Sequence, residues 1–209
     1  MAAQSETARI EAFSDGVFAI AITLLILEIK VPHGDPAGLA TALLRQWPSY
    51  FAFFLSFTFT GIMWINHHRM FTHIRKSNDV LMALNLLLLL GVTIVPFPTE
   101  VLAEHLGGPG QKAAAILYNC VYIAIGVFFN LLWRYAVAHH LLDRSMSAAE
   151  AATLTRQYSF GPVVYLICLA LVWVDIRVSL GLSCALCLFF ALPPSLLRPR
   201  VAEHVPPVQ

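Results

Sequence analysis

An all-α integral membrane protein with six transmembrane helices is the fold class this sequence predicts, and three observations lead to it. Of its 209 residues, 58% are hydrophobic and 12% are charged, about half the roughly 25% charge content of a soluble domain. So little charge cannot coat a globular surface, and a bilayer must act as solvent. Six long apolar runs occur, near 10–31, 48–70, 79–98, 113–138, 158–174 and 177–197, each close to the roughly 20 residues that span a hydrocarbon core. The stretches between them are too short for a soluble domain. The expected organisation is one transmembrane domain over residues 1–200 and a disordered tail at 201–209, after Arg198, Pro199 and Arg200 and containing Pro206 and Pro207.

The elements follow from local chemistry. The first apolar run lacks the basic segment of a secretory signal and continues to Ile29, so it reads as a retained helix. Pro32, Gly34, Asp35 and Pro36 end it, because proline has no amide donor and pushes the preceding residue out of the helical region. The second run closes on Trp64, Asn66, His67, His68 and Arg69. Ser77, Asn78 and Asp79 supply an N-cap for the third. Pro96 and Pro98, followed by Gly107, Gly108, Pro109 and Gly110, are expected to close that helix in a turn-rich loop. The fourth run ends at a solvated edge with His139, His140 and Asp143, and only Asp175 and Arg177 around Ile176 divide the fifth from the sixth.

Charge sets an expected orientation. With six spans, Arg9, Arg69, Arg75, Lys76, Arg134, Arg144, Arg156, Arg198 and Arg200 fall on one side, and Lys30, Arg45, Lys112 and Arg177 on the other. Positive residues stay cytoplasmic, which places both termini there. The net charge is +1 and the basic residues are scattered, so no nucleic-acid footprint exists. Cys120, Cys168, Cys184 and Cys187 lie in apolar runs as small hydrophobes. Cys184 and Cys187 are three apart without a His or carboxylate nearby, so no metal site is expected. Neither a nucleophile with a paired base nor a phosphate-cradling glycine loop is present, which excludes the common enzyme classes and leaves no cofactor to expect.

The first run carries the chemistry. Asp15 sits at the mouth of a span, where a carboxylate at the centre would cost about 2.5–3.5 kcal/mol, and so must face protein or water. Arg9 is six residues away, roughly 120° around a helix, so the two would meet through a third group. His67, at matching depth on the second helix, can supply one. A second reading treats Trp64 and the histidines as interfacial residues at the headgroups. Phe13, Ile20, Leu24 and Leu27 recur at spacings of seven, four and three and form one stripe, with Thr23 beside it. Lipid accepts such a stripe as readily as a pore or a protein core does. Gly16, Ala19 and Ala21 favour close helix approach.

The run Arg9-x-x-x-Phe13-Ser14-Asp15-Gly16 resembles the opening motif of the transmembrane protein 175 family, the endolysosomal potassium channels of animals and their shorter bacterial relatives. Trp64-x-x-His67 with Phe71 is similar to that family's second-helix motif. One copy is present, as in the single-repeat bacterial form. The resemblance implies a homotetramer in a cell inner membrane, with lipid and potassium ions as its partners and a central pore lined by first helices. It implies a hydrophobic constriction at Ile20, Leu24 and Leu27, with Thr23 assisting selectivity. It also implies a polar network of Arg9, Asp15 and His67 at the entrance, with Ser14 and Gly16 in the same turn. The expected function is a channel modestly selective for potassium over sodium. The alternative is a secondary or proton-coupled transporter in which Asp15 and His67 titrate. Against that alternative stand the single motif copy and the placement of Pro96 and Pro162 near span ends.

Overall fold

The structure, a computed structural model, describes residues 7–32 and 38–191, with side chains through Cys187. The expected tail at 201–209, and the end of the sixth run beyond Ala191, lie outside the described residues. The chain is all-helical: α1 (Ala8–Leu24), a 3-10 turn (Leu25–Glu28), α2 (Leu39–Arg45), α3 (Trp47–His73), α4 (Asp79–Ile94), α5 (Pro96–His105), α6 (Gln111–Ala138), α7 (Ala148–Leu171) and α8 (Ile176–Ala191). Among the described residues four segments are long and apolar enough to cross a membrane, namely Ala8–Glu28, Trp47–His73, Asp79–His105 and Gln111–Ala138.

Three expectations need correction. Pro96 and Pro98 do not close the third span. They occupy the first turn of α5, where a missing N–H costs nothing, so the helix bends and runs on to His105. The fifth helix begins at Ala148, ten residues before the apolar run does. Its start is a capping box: Ser147 Oγ accepts from Glu150 N at 3.2 Å, and Glu150 Oε2 accepts from Ser147 N at 2.8 Å. Pro162 is therefore inside α7 rather than near its end. Proline cannot donate to the carbonyl four residues back, and Asn130 Nδ2 of α6 donates to that Tyr158 carbonyl instead, at 2.8 Å. Broken helices thus no longer separate the channel and transporter readings.

The buried centre of the bundle is α6, whose Tyr118, Tyr122, Ile125, Leu132 and Trp133 are fully enclosed by α3, α4, α5 and α7. Gly91 of α4 lets that helix lie on Ile125, since a Cβ there would come within 2.7 Å of Ile125 Cγ1. In an apolar bundle polar side chains stabilise the fold by pairing with one another. Ser56 Oγ meets Thr99 Oγ1 at 2.7 Å and Tyr118 OH at 3.0 Å, joining α3, α5 and α6.

The start of α1, the 74–78 link and the 139–147 loop converge at one end. Thr7 Oγ1 donates to the Ile74 carbonyl at 3.1 Å, Ile74 pairs with Leu142, and Arg75 Nε donates to Asp143 Oδ2 at 3.1 Å. The Ser145 amide and hydroxyl, with Arg75, hold the Asp143 carboxyl down at about 2. A depressed carboxyl stabilises the fold above its unfolded value of about 4 and loses that contribution as pH falls through the folded value. Melting curves of parent and Asp143→Asn should therefore keep a constant offset from pH 5 to 8 and converge between about pH 4 and 2.

Candidate functional site

Two faces of α1 divide its work. Ser14, Phe18, Ala21 and Leu25, at spacings of four, three and four, are buried against α3 and α4. On the other side Phe13, Ile20, Leu24 and Leu27 are 59%, 62%, 41% and 61% exposed. The expected stripe is thus one continuous uncovered face of the single chain. Its lower end depends on the 3-10 turn, in which residues three apart eclipse, so Leu27 stays in line with Leu24. Thr23 is exposed, and its hydroxyl donates back to the Ala19 and Ile20 carbonyls, each at 2.9 Å. With the proton engaged, the oxygen lone pairs are what Thr23 offers outward. Of the small residues, Ala21 is buried, while Gly16 and Ala19 are exposed and a Cβ on Gly16 would touch nothing within 4 Å. The expected close approach involves Ala21 alone within the chain.

The polar network exists, but its pairing differs from the expected one. Asp15 is held by Trp64, whose Nε1 donates to Oδ1 at 2.9 Å. His67 does not reach Asp15: its Nε2 lies 2.9 Å from Asn85 Oδ1 of α4. Asn85 Nδ2 in turn donates to Ser14 Oγ at 3.0 Å, and Ser14 donates to the Ile10 carbonyl at 2.8 Å. This chain fixes the Asn85 oxygen toward the imidazole, so the proton sits on Nε2 of His67. The ring is fully buried, stacked on Phe71 at 4.5 Å and tilted against Phe18 at 5.4 Å. One turn further out, His68 Nδ1 meets Glu11 Oε1 at 2.6 Å. Arg9 is exposed and has no hydrogen-bond or ion-pair partner among the described residues, so it is not part of the network within one chain.

Helix periodicity explains the exchange of partners. Trp64 and His68 are four apart and share the side of α3 that faces Glu11 and Asp15, while His67 points a turn's fraction away toward α4. Sequence reasoning placed Trp64 in the motif without giving it the carboxylate, and it missed Asn85 and the Glu11–His68 pair. A signal for Asn85 was available: a lone amide in the run Leu84-Asn85-Leu86 of an apolar helix needs a partner. Beyond the other end of α1, Lys30 Nζ lies 3.2 Å from Glu100 Oε1 and 4.0 Å from Glu28 Oε2. That arrangement also went unread.

Comparison with known proteins follows the same residues. The family model described as "Endosomal/lysosomal potassium channel TMEM175" matches residues 9–96, the stretch that runs from Arg9 through the Ser14–Asn85–His67 chain. A potassium channel of Chamaesiphon minutus is 48% identical over 193 residues, which are 90% of this chain and 95% of that one. A potassium channel of Streptomyces collinus is 43% identical over 189 residues, 89% and 92% of the two chains. The human endosomal/lysosomal proton channel TMEM175 is 35% identical over 143 residues, 63% of this chain and 28% of that protein. Among solved structures, the lysosomal potassium-selective channel TMEM175 homolog from Chamaesiphon minutus superposes with a TM-score of 0.82 at 46% identity, covering 90% and 97%. The potassium channel MtTMEM175 shares the fold, with a TM-score of 0.60 at 22% identity and coverage of 91% and 90%. With near-complete coverage at almost half identity, and with the Arg9–Gly16 and Trp64–Phe71 motifs in register on paired helices, this chain belongs to the TMEM175 family.

Proposed function

We propose that this chain is a potassium-permeable channel in which first helices from four copies surround a pore narrowed by Ile20, Leu24 and Leu27. The observation that carries the reading is the uncovered apolar face of α1, a helix whose opposite face is buried and bolted to α3 and α4. A helix at the centre of an assembly needs that division. The near-full-length potassium-channel relatives supply the ion. A closed ring of identical subunits places an axis between copies, where the exposed α1 faces can meet. In the assembly six spans cross the inner membrane, with the 1–200 region as one channel domain and both termini cytoplasmic by the excess of Lys and Arg at that end.

Selectivity in this reading comes from dehydration at an apolar constriction that gates by dewetting. Potassium sheds its water at lower cost than sodium, so the ring penalises sodium more. Thr23 adds one layer of hydroxyl lone pairs beside it. Arg9, without a partner among the described residues, is available to a neighbouring subunit. In the coupled-transporter alternative Asp15 and His67 titrate during the cycle; here they bond to separate partners, Trp64 and Asn85, and the near-full-length relatives are potassium channels.

Flux from liposomes holding the purified protein tests the proposal. With a proton ionophore present, an outward potassium gradient is expected to drive faster flux than an equal sodium gradient. Flux that requires a coupled proton gradient would overturn the channel reading and return Asp15 and His67 to the centre of the mechanism.

A further inference from the structure

A groove of about 490 Å3 lies between α3 and α7, with α6 as its floor, within the roughly 300–1,000 Å3 of small-molecule sites. Tyr122, Ile125 and Phe129 of α6 and Phe59 and Met63 of α3 line its depth and are buried. Pro162 rests on Gly126, where a Cβ would stand 3.0 Å from Pro162 Cγ, and this draws α7 onto α6. At Gly161, which also lines the groove, a Cβ would meet nothing within 4 Å. The interior is therefore open and apolar.

The rim is different. Arg69 of α3 and Arg156 of α7 line the groove with Asn66 and Gln157, and both arginines are exposed. Neither guanidinium has an ion-pair or hydrogen-bond partner among the described residues. Both fall on the side that the charge count of the sequence assigns to Arg9, Arg75, Lys76, Arg134 and Arg144. Asn66 lies about 200° and Arg69 about 140° around α3 from Trp64, the residue that holds α1. The groove thus opens on the side of α3 remote from α1.

We infer that this groove binds one acyl chain of an anionic glycerophospholipid, with Arg69 and Arg156 on its phosphate. Charge complementarity selects the head and the apolar floor selects the tail, since planar guanidinium groups favour phosphate oxygens. The site is separate from the α1 face, and the inference holds whether or not that face lines a pore.

Native mass spectrometry of the purified protein, titrated with phosphatidylglycerol or phosphatidylcholine, tests it. The parent is expected to retain phosphatidylglycerol in preference, and the Arg69→Gln/Arg156→Gln double variant to weaken that binding about tenfold, or about 1.4 kcal/mol. Gly161→Leu fills the open space with the arginines intact and is expected to weaken binding of both lipids. Equal retention of the two lipids by the parent would overturn the inference, as would a phosphatidylglycerol preference that survives both variants. Competition by glycerol phosphate as strong as by the lipid would reduce the site to a headgroup contact and reject the tail. A change of oligomeric mass on Gly161→Leu, read by light scattering, would show that a second copy occupies the groove instead.

Discussion

Ile20→Asn is expected to raise potassium flux about tenfold, equivalent to about 1.4 kcal/mol off the barrier, and to bring the potassium-to-sodium ratio toward that of free solution. Ile20 is the most exposed of the stripe residues and lies in the regular part of α1, between the polar anchor at Ser14 and Asp15 and the 3-10 turn. An apolar ring offers no ligand to replace an ion's hydration shell, so its barrier is the work of dehydration. An amide in each of four copies holds water in the constriction and removes that work for both ions. The ion that paid more gains more, and discrimination falls as flux rises. Liposome flux with potassium and sodium, compared at equal protein content, measures both quantities. Unchanged flux and ratio would take Ile20 out of the conduction path.

The second large effect is expected at Asn85, which is buried between α1 and α3 and bonded to His67 and Ser14. Asn85→Leu keeps approximate volume but leaves the His67 Nε2–H without its acceptor and Ser14 without its donor, inside a fully buried site. An orphaned buried polar group costs about 1–3 kcal/mol, and the loss should appear as a lower melting temperature in detergent together with loss of the potassium preference, because α1 is no longer fixed against α4. Asp15→Asn makes the contrast. Its side-chain oxygen still accepts from Trp64 Nε1, so stability is expected to stay within about 1 kcal/mol of the parent. If Asn85→Leu melts with the parent, the Ser14–Asn85–His67 chain is not what holds the pore helix.

Much of this molecule was legible from residues alone. Charge scarcity and run lengths gave the membrane class, and the first four of the six expected runs each overlap a helical segment long and apolar enough to cross a membrane. Asn78 caps α4 as read, its Oδ1 accepting from Leu81 N at 2.9 Å. Helical spacing alone placed Ile20, Leu24 and Leu27 on one face, because periodicity is a local property of the backbone. Pro96 and Pro162 misled, since proline ends a helix only where no neighbour satisfies the freed carbonyl or where the ring falls beyond the first turn. Asn130 satisfies the carbonyl freed by Pro162, and Pro96 falls in the first turn of α5, so neither proline ends its helix.

The polar anchor shows the same division more sharply. The sequence singled out Asp15 as a residue that must face protein or water, with His67 as the group to meet it, because an unpaired carboxylate in a bilayer is too costly to keep. Which partner each one takes depends on the rotation of α3 about its axis and on the depth at which α4 presents Asn85. Those quantities are set by side-chain packing among helices distant in sequence, so only the tertiary structure decided that Asp15 belongs to Trp64 and His67 to Asn85.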